Sequence, residues 1–424
     1  MTTSAKSPVL GLGANWQQFG LLLVINAFVG AMLGLERSIV PLIATREFGL
    51  ASISVTLSFI VSFGIVKALA NLYAGRQADR IGRKPLLIVG WLMGLPVPLI
   101  IMFAPSWGWI VFANILLGVN QGLCWSTAVI MKVDLIGPAR RGLATGLNEF
   151  SGYLAMAAST VASGWIAAQT ALRPYPFYLG LGYAVLGLLL SVLLVRETRE
   201  FAWQEARQAG TEISTSFSTI FKRVSWQNKS FFSLSQGGLV NNLNDVVIWG
   251  LLPLLALRAG LSVERAAALG GAYLAVWGSS QLITGPLSDR IGRKPLIATG
   301  LWLQAVGIAV IALLPQTQFW FIPIVLMGLG TGMVYPSLLA AVSDLAHPSW
   351  RASALGVYRL WRDSGYAAGA ALAGVLSDLV GIEFAVLTIA AVTGLSGLIV
   401  AVLLPLSLKL NEPLPDAALK AAAD

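Results

Sequence analysis

The segment Asp79-Arg80-Ile81-Gly82-Arg83-Lys84-Pro85-Leu86 occurs twice in this chain. Its second copy runs from Asp289 to Leu296, 210 residues later. Charged residues make up only 11% of the chain, so chance does not account for an identical segment this rich in charge. Similarity at one fixed separation is the signature of a repeated unit, and the sequence therefore predicts two related halves.

The amino-acid composition indicates whether these halves lie in water or in a membrane. Hydrophobic residues make up 56% of the chain, whereas a soluble domain carries about 25% charged residues, more than twice the fraction found here. Apolar runs of about 20 residues recur along the chain, and such a run crosses a hydrocarbon core of about 30 Å. The sequence therefore predicts an all-α polytopic membrane protein.

Twelve membrane helices are predicted, six in each half. They lie at 15–44, 52–74, 86–104, 109–134, 142–168, 176–195, 230–257, 266–284, 296–314, 319–343, 352–376 and 383–408. We expect an N-terminal six-helix bundle over 1–195, a cytoplasmic linker over 196–229, a C-terminal six-helix bundle over 230–408 and a cytoplasmic tail over 409–424.

Lysine and arginine are unevenly distributed between the two sets of loops. With the N-terminus inside, 20 of the 28 basic residues, Lys132 among them, fall in inner loops and tails, and four fall in outer loops. Because inner loops carry the excess of basic residues, both termini are predicted to be cytoplasmic, in a plasma membrane such as the bacterial inner membrane. The net charge of +9 is thus a topology signal, and no nucleic acid is expected as a partner.

The similarity of the halves extends beyond the identical segment. The same separation relates Gly118 to Gly328, Gly122 to Gly332 and Asp134 to Asp344, and it aligns two aromatic residues, Trp125 and Tyr335. Each half begins inside and has six helices, so the repeat is parallel, as in carriers built from two halves of equal orientation.

The chain resembles the major facilitator superfamily over essentially its whole length. The resemblance is carried by G-x-x-x-D-R-x-G-R-K between helices 2 and 3 of each half, at Gly75 to Lys84 and again at Gly285 to Lys294. It implies two bundles around a central cavity that opens alternately to each side. It also implies that helices 3, 6, 9 and 12 face outward. An arginine typical of drug–proton antiporters in helix 4 is replaced here by Asn114.

The repeated motif is predicted to act in gating. An acidic residue is unnecessary for a topology signal, and a carboxylate is favoured at a helix N-terminus. The resemblance implies that Asp79 meets helix 11 near Ala352, and that Asp289 meets helix 5 near Gly142, which closes the inner face. The gating residues are Gly75, Asp79, Arg80, Gly82, Arg83, Gly285, Asp289, Arg290, Gly292 and Arg293.

Eight ionisable residues lie inside predicted helices: Glu36, Arg37, Lys67, Glu149, Asp245, Arg359, Arg362 and Asp363. Each costs at least about 2.5 kcal/mol at the bilayer centre, so such residues face a cavity and have a function. Arg359 and Asp363 are four residues apart and are expected to pair. Arg362 is then expected to be matched by Asp245, by Glu36 or by substrate, while Lys67 faces helix 11.

Within this group the carboxyls of Glu36, Glu149 and Asp245 are the candidates for carrying a proton, because burial favours the neutral form of an acid. Four further residues either line the site or pack the helices: Asn148, Trp125, Tyr335 and Tyr358.

No phosphate loop, nucleophile or metal cluster is visible; Cys124 and His347 are each the only residue of their type. We therefore expect no enzyme, cofactor or metal, but a secondary transporter that acts as a monomer in contact with membrane lipid. Proton-coupled efflux of a small organic compound is the first hypothesis. A carrier for a small organic or inorganic anion, using Arg359, Arg362 and Lys67, is the second. A sensor or assembly factor that transports nothing is the third.

Overall fold

The structure is a computed structural model that describes residues 9–136, 141–201, 216–314, 316–346 and 350–406. Inside its helices, the side chains at positions 75–76, 79–80, 141–143, 145 and 351–352 lie outside this description. The described residues form twelve long helical rods, numbered α1 to α12, besides a short linker helix, Phe217–Lys222, that continues as a π-helical turn, Arg223–Gln227, and a 3-10 turn, Thr317–Phe319. Their bounds are Leu12–Arg46, Ile53–Ile81, Arg83–Phe103, Trp107–Ile136, Arg141–Gln169, Phe177–Leu193, Lys229–Arg258, Val263–Ile291, Arg293–Leu313, Phe321–Leu345, Arg351–Val380 and Ile382–Leu403.

Eight of these rods are long and apolar enough to cross a membrane by themselves, within the part of the chain that the structure describes. Of the other four, α6 has 17 residues, while α5, α8 and α11 are long but more polar. α1 and α7 also meet across the two halves, but most contacts with the opposite half are made by the three polar rods together with α2. Their polar side chains are therefore shielded from lipid by the partner helix. The predicted all-α fold of two six-helix bundles is confirmed.

The repeated motif is mostly helical, which corrects the prediction of a loop. Both α2 and α8 continue to the isoleucine of the motif, at Ile81 and Ile291. The turn is made by one residue in each copy, with φ of 100° at Gly82 and 93° at Gly292. Only glycine adopts such angles without strain, so the glycine ends the helix.

The basic residue after each turning glycine is held in the same way in both halves. Arg83 Nε lies 3.1 Å from an Asp134 carboxylate oxygen, and Arg293 Nε lies 3.1 Å from Asp344. These two ion pairs are related by the repeat. We call the end of the molecule that carries them the loop face, and the opposite end the far face.

Glycines of α4 and α10 pack identically in the two halves. A Cβ on Gly118 would lie 2.9 Å from the carbonyl oxygen of Phe63, and a Cβ on Gly328 would lie 2.9 Å from that of Tyr273. Phe63 and Tyr273 are themselves 210 positions apart. The halves are therefore similar in helix packing as well as in sequence.

The two bundles meet along two seams, α2 against α11 and α5 against α8. Toward the far face the seams are tight, because a Cβ on Gly374 would lie 2.7 Å from Ser54 Cα and a Cβ on Gly164 would overlap Ala267. Toward the loop face, Gly146, Gly285 and Gly356 have no atom within 4 Å of an added Cβ. The bundles are thus closed at the far face and separated at the loop face.

Candidate functional site

The ionisable residues predicted inside helices are buried where the two bundles meet. Arg359 is half-buried, and each of the other seven has at most 7% of its surface exposed. The arrangement consists of a charged cluster at the α2/α11 seam, an aromatic cluster at the α5/α8 seam and a third group nearer the far face.

Asp363 is the centre of the charged cluster. Its carboxylate accepts a hydrogen bond of 2.5 Å from Asn71 Nδ2 and lies 3.5 Å from Arg362 Nη1. Asn242 of α7 bonds both neighbours: its Oδ1 accepts from Arg362 Nε at 3.2 Å, and its Nδ2 donates to Asp363 at 3.4 Å. The amide thus holds two adjacent side chains together.

This geometry corrects two expectations. Among the described contacts, the basic partner of Asp363 is Arg362 rather than Arg359, and the acid beside Arg362 is neither Asp245 nor Glu36. The physical reason is that the amide of Asn242, on α7, bonds both Arg362 and Asp363 and holds them together. The prediction used only the spacing of residues within α11 and could not include this contact. The guanidinium of Arg362 also lies 4.2 Å from the ring centre of Tyr335.

Lys67 lies close to this cluster, and its surroundings are aromatic. Its ammonium is 4.9 Å from the ring centre of Tyr366, 5.5 Å from Phe63 and 5.9 Å from Trp125. The contact with Tyr366 confirms that Lys67 faces α11. Within the described residues its ammonium has no ion pair or hydrogen bond. A cation–π contact contributes about 0.5–2 kcal/mol and supplies no negative charge. The ammonium of Lys67 can therefore still bind an anion.

Glu149 is held by the predicted neighbours on its own bundle. One carboxylate oxygen accepts hydrogen bonds of 3.0 Å from Trp125 Nε1 and from Asn148 Nδ2. The other oxygen is buried and has no partner among the described residues. On the opposite bundle the buried hydroxyl of Tyr358 is likewise without a partner, and its ring packs against Gly238.

The third group contains Glu36, Arg37 and Asp245. An Asp245 oxygen accepts a hydrogen bond of 2.8 Å from the Tyr273 hydroxyl. The Arg37 guanidinium lies 4.4 Å from the ring of Phe63 and 4.6 Å from that of Trp249, and no described residue accepts a hydrogen bond from it. Arg37 ends the first segment of α1, and Trp249 lies in a π-helical turn of α7, Val247–Leu251. Both helices are therefore irregular where they meet.

The repeat relates the charged seam to the aromatic seam. The equivalent of Lys67 is Trp277, and the equivalent of Asp363 is Tyr153. At the α5/α8 seam these two rings lie 3.9 Å apart between centres. A pair of opposite charges in one seam thus corresponds to a pair of rings in the other, and the site has one ionic side and one apolar side.

Sequence reasoning missed several residues of this site. Lys132 was counted with the inner loops, but it is fully buried in α4 and donates a hydrogen bond of 3.1 Å to the carbonyl of Leu22. Its position inside the predicted fourth helix was the available signal. Asn71 lies four residues after Lys67, and Trp277 is the repeat equivalent of Lys67, so both could have been found. Asn242 and Tyr366 gave no comparable signal.

The predicted gating residues are only partly described. Asp289 forms an ion pair of 2.6 Å with Arg293, and its side chain is 65% exposed. The side chains of Asp79 and Arg80, and those at the starts of α5 and α11, lie outside the described residues. The proposed contacts of the two aspartates with those helix starts therefore stay predictions.

Comparison with protein families gives one match that spans both halves. The family model described as Major Facilitator Superfamily matches residues 20–243 and 234–422. The chain is 24% identical over 350 residues to a probable 4-methylmuconolactone transporter of Cupriavidus pinatubonensis, covering 80% of this chain and 78% of that protein. It is 23% identical to the class E tetracycline resistance protein of Escherichia coli, covering 76% and 79% of the two chains.

Solved structures show the same fold at low sequence identity. A POT family transporter in complex with a thioalcohol-conjugated peptide superposes with a TM-score of 0.73 at 12% identity, covering 91% of this chain and 96% of that one. A bacterial homologue of the human lysosomal transporter Spinster, inward-facing and unoccupied, gives 0.69 at 14% identity with the same coverage.

Proposed function

Because the chain belongs to the major facilitator superfamily and is a membrane-embedded secondary transporter rather than an enzyme, we propose that its substrate is a small organic anion. The observation that carries this proposal is Lys67. Its ammonium is buried among three rings beside Arg362, and no described residue forms an ion pair with it. A buried cation that forms no ion pair within the described structure is costly, and a bound carboxylate offsets that cost.

The charges around Lys67 support an anion over a cation. Asp363 is the acid at this seam, and it is already occupied by Arg362, Asn71 and Asn242. An organic cation would have to compete with those partners. The names of two relatives, a probable 4-methylmuconolactone transporter and a tetracycline resistance protein, both refer to organic compounds, which supports an organic substrate.

Proton coupling is the second part of the proposal. Glu36, Glu149 and Asp245 each have one buried carboxylate oxygen without a partner among the described residues. An ionised carboxylate pays a desolvation cost at such a place, and binding a proton removes it. The same three acids favour the second candidate function, proton-driven efflux of an uncharged or cationic organic compound, for which Lys67 would be unnecessary.

Transport in proteoliposomes with an imposed pH gradient tests the proposal. A panel of radiolabelled carboxylates is offered to wild type, Lys67→Gln and Lys67→Arg. We expect the panel to contain a substrate whose transport requires the gradient. Lys67→Gln should raise its half-saturating concentration about tenfold or more, the loss of about 1.4 kcal/mol, while Lys67→Arg retains most of the affinity. Transport of neutral compounds that is insensitive to Lys67→Gln would establish the second candidate instead.

The repeated motif and the topology complete the proposal. We propose that Asp79 and Asp289 close the loop face in the alternate state, and that both termini and the loop face are cytoplasmic. The Asp289 side chain is 65% exposed, and such a contact would replace or add to its present ion pair with Arg293. Asp289→Asn should increase labelling of a cysteine placed between the bundles at Gly356. Unchanged labelling would remove the gating role.

A further inference from the structure

Gln281 of α8 and Asn71 of α2 occupy equivalent positions in the two halves. Asn71 has its hydrogen bonds satisfied within the protein. Its amide donates to Asp363 at 2.5 Å, and its carbonyl oxygen accepts from the hydroxyl of Ser126 at 2.6 Å. This amide is therefore a fixed part of the charged seam.

In the other half, the residues equivalent to the partners of Asn71 are different. The equivalent of Asp363 is Tyr153, and the equivalent of Ser126 is Pro336, which has no polar side chain. Gln281 has only 6% of its surface exposed, and its Nε2 is buried without a hydrogen-bond partner among the described residues. The repeat thus shows which acceptor is missing at the α5/α8 seam.

Trp277 of α8 is a second buried hydrogen-bond donor without an acceptor among the described residues. Trp277 lies four residues before Gln281, so both side chains project from one face of the helix. It is fully buried, and its indole Nε1 has no acceptor in the described structure. Each buried donor without an acceptor costs about 1–3 kcal/mol. Other buried indoles, those of Trp91 and Trp249, also have no partner among the described residues, but here two such donors lie one turn apart at a seam between the bundles, where a substrate acceptor can satisfy both.

We propose that Gln281 and Trp277 form a second subsite, which donates hydrogen bonds to an uncharged oxygen of the substrate. This inference rests on the proposed function, in which Lys67, beside Arg362, binds the carboxylate at the opposite seam. The substrate is then an oxygenated organic acid, with a carbonyl, hydroxyl or lactone oxygen at the end distant from its carboxylate. Trp277 and Gln281 are its specificity-determining residues.

The charge distribution explains why this oxygen is uncharged. The donors at the α5/α8 seam are a neutral amide and a neutral indole, whereas the two cations of the site project from α2 and α11. Glu149 of α5, with one carboxylate oxygen unpartnered, would repel a second carboxylate on this side. A neutral oxygen satisfies the donors without adding an unbalanced charge.

Paired ligands on the purified protein separate the two subsites. The probes are pentanoate with 4-oxopentanoate, cyclohexanecarboxylate with 4-oxocyclohexanecarboxylate, and benzoate with 4-hydroxybenzoate; each pair differs in one oxygen function. Equilibrium binding is measured for wild type, Gln281→Leu, Trp277→Phe and Lys67→Gln. Trp277→Phe keeps a ring against Tyr153, and thermal unfolding checks that every variant is folded.

We expect wild type to bind the oxygenated member of at least one pair about tenfold more tightly, equivalent to about 1.4 kcal/mol. Gln281→Leu and Trp277→Phe should each reduce that ratio by weakening the oxygenated member more than the plain acid, while Lys67→Gln should weaken both members. If the acids bind but the ratio is near one, or is the same in all folded α8 variants, the second subsite is wrong and the proposed function stands. If wild type binds no acid of the panel, the proposed function itself is overturned.

Discussion

The carboxylate of Asp378, near the end of α11, accepts a hydrogen bond of 2.6 Å from the backbone N–H of Ile53, at the start of α2 in the other bundle. It also accepts from the Ser54 N–H at 3.0 Å and from the Ser52 hydroxyl at 2.7 Å. An acid at a helix N-terminus is stabilising because it satisfies free N–H groups and interacts with the helix dipole. At the far face, therefore, the C-terminal bundle caps the N-terminus of α2 in the N-terminal bundle.

Removing this cap should favour opening of the far face. Caps contribute about 0.5–2 kcal/mol, so Asp378→Ala should increase the open population about 2- to 30-fold. The measurement is maleimide labelling of Ala267→Cys, which lies in the other seam at the far face. Cys124 is fully buried and is expected to label slowly. The control is Gln169→Ala, which removes a single hydrogen bond of 3.0 Å to Glu264. Equal labelling with and without the Asp378 substitution would contradict this role.

A side chain at Gly374 should prevent the far face from closing. Its Cβ would lie 2.7 Å from the Cα of Ser54, a backbone atom that cannot move aside without moving α2. Overpacking of this kind costs about 1–3 kcal/mol, so Gly374→Val should slow transport and raise labelling at the far face. Gly182→Val in α6 is the matched control, because an added Cβ there meets no atom within 4 Å and the residue is exposed and away from both seams. Similar transport rates in the two variants would show that the contact is unimportant.

Asp363→Asn should destabilise the protein more than the loss of one hydrogen bond. Breaking a buried ion pair from one side costs about 3–5 kcal/mol, because the remaining charge of Arg362 is left uncompensated. Thermal unfolding in detergent measures the effect. The double variant Arg362→Gln/Asp363→Asn should be more stable than Asp363→Asn alone, since it removes that charge. Additive effects of the two substitutions would mean that the residues do not act as a pair.

Glu197 predicts a dependence of stability on pH. Partial burial disfavours its charge, but N–H groups of Arg83, Lys84, Arg199 and Thr198 outweigh this and lower the pKa of Glu197 below 4.5. Because the folded pKa is below the unfolded one, the stabilisation is complete above about 4.5 and is lost as pH falls through the folded pKa. Glu197→Gln should therefore be less stable than wild type at pH 7, and the difference should shrink below pH 4.5. A constant difference from pH 7 to pH 3 would exclude this cap.

The fold was predictable because its determinants are local or periodic. Apolar length gave the helices, the fixed separation of 210 gave the two bundles, and burial of charge indicated which helices meet. The end of α2 was misplaced because Asp79 and Arg80 look like a loop, yet nothing before Gly82 breaks a helix.

The pairings inside the site were less predictable, because they depend on three helices at once. Spacing within α11 favoured Arg359 as the partner of Asp363, while the observed clamp is an amide of α7. The free donors of Gln281 and Trp277 likewise follow from residues that are absent on α5 and α10. Comparing the two halves does reveal these donors. The partners of Asn71 in one half show which acceptors are missing beside Gln281 in the other.

The π-helical turn Val247–Leu251 directly precedes a segment at which the alignment of the two halves shifts. Val40-Pro41-Leu42 and Leu252-Pro253-Leu254 are 212 residues apart, whereas the rest of the two halves align at 210. An insertion inside a membrane span cannot bulge out as a loop, because its backbone would be unsatisfied in lipid. A π turn holds one residue more than an α turn and keeps the backbone bonded. One π turn therefore takes up one of the two residues of this offset inside the span, and α7 has a wider coil there that the first helix does not have.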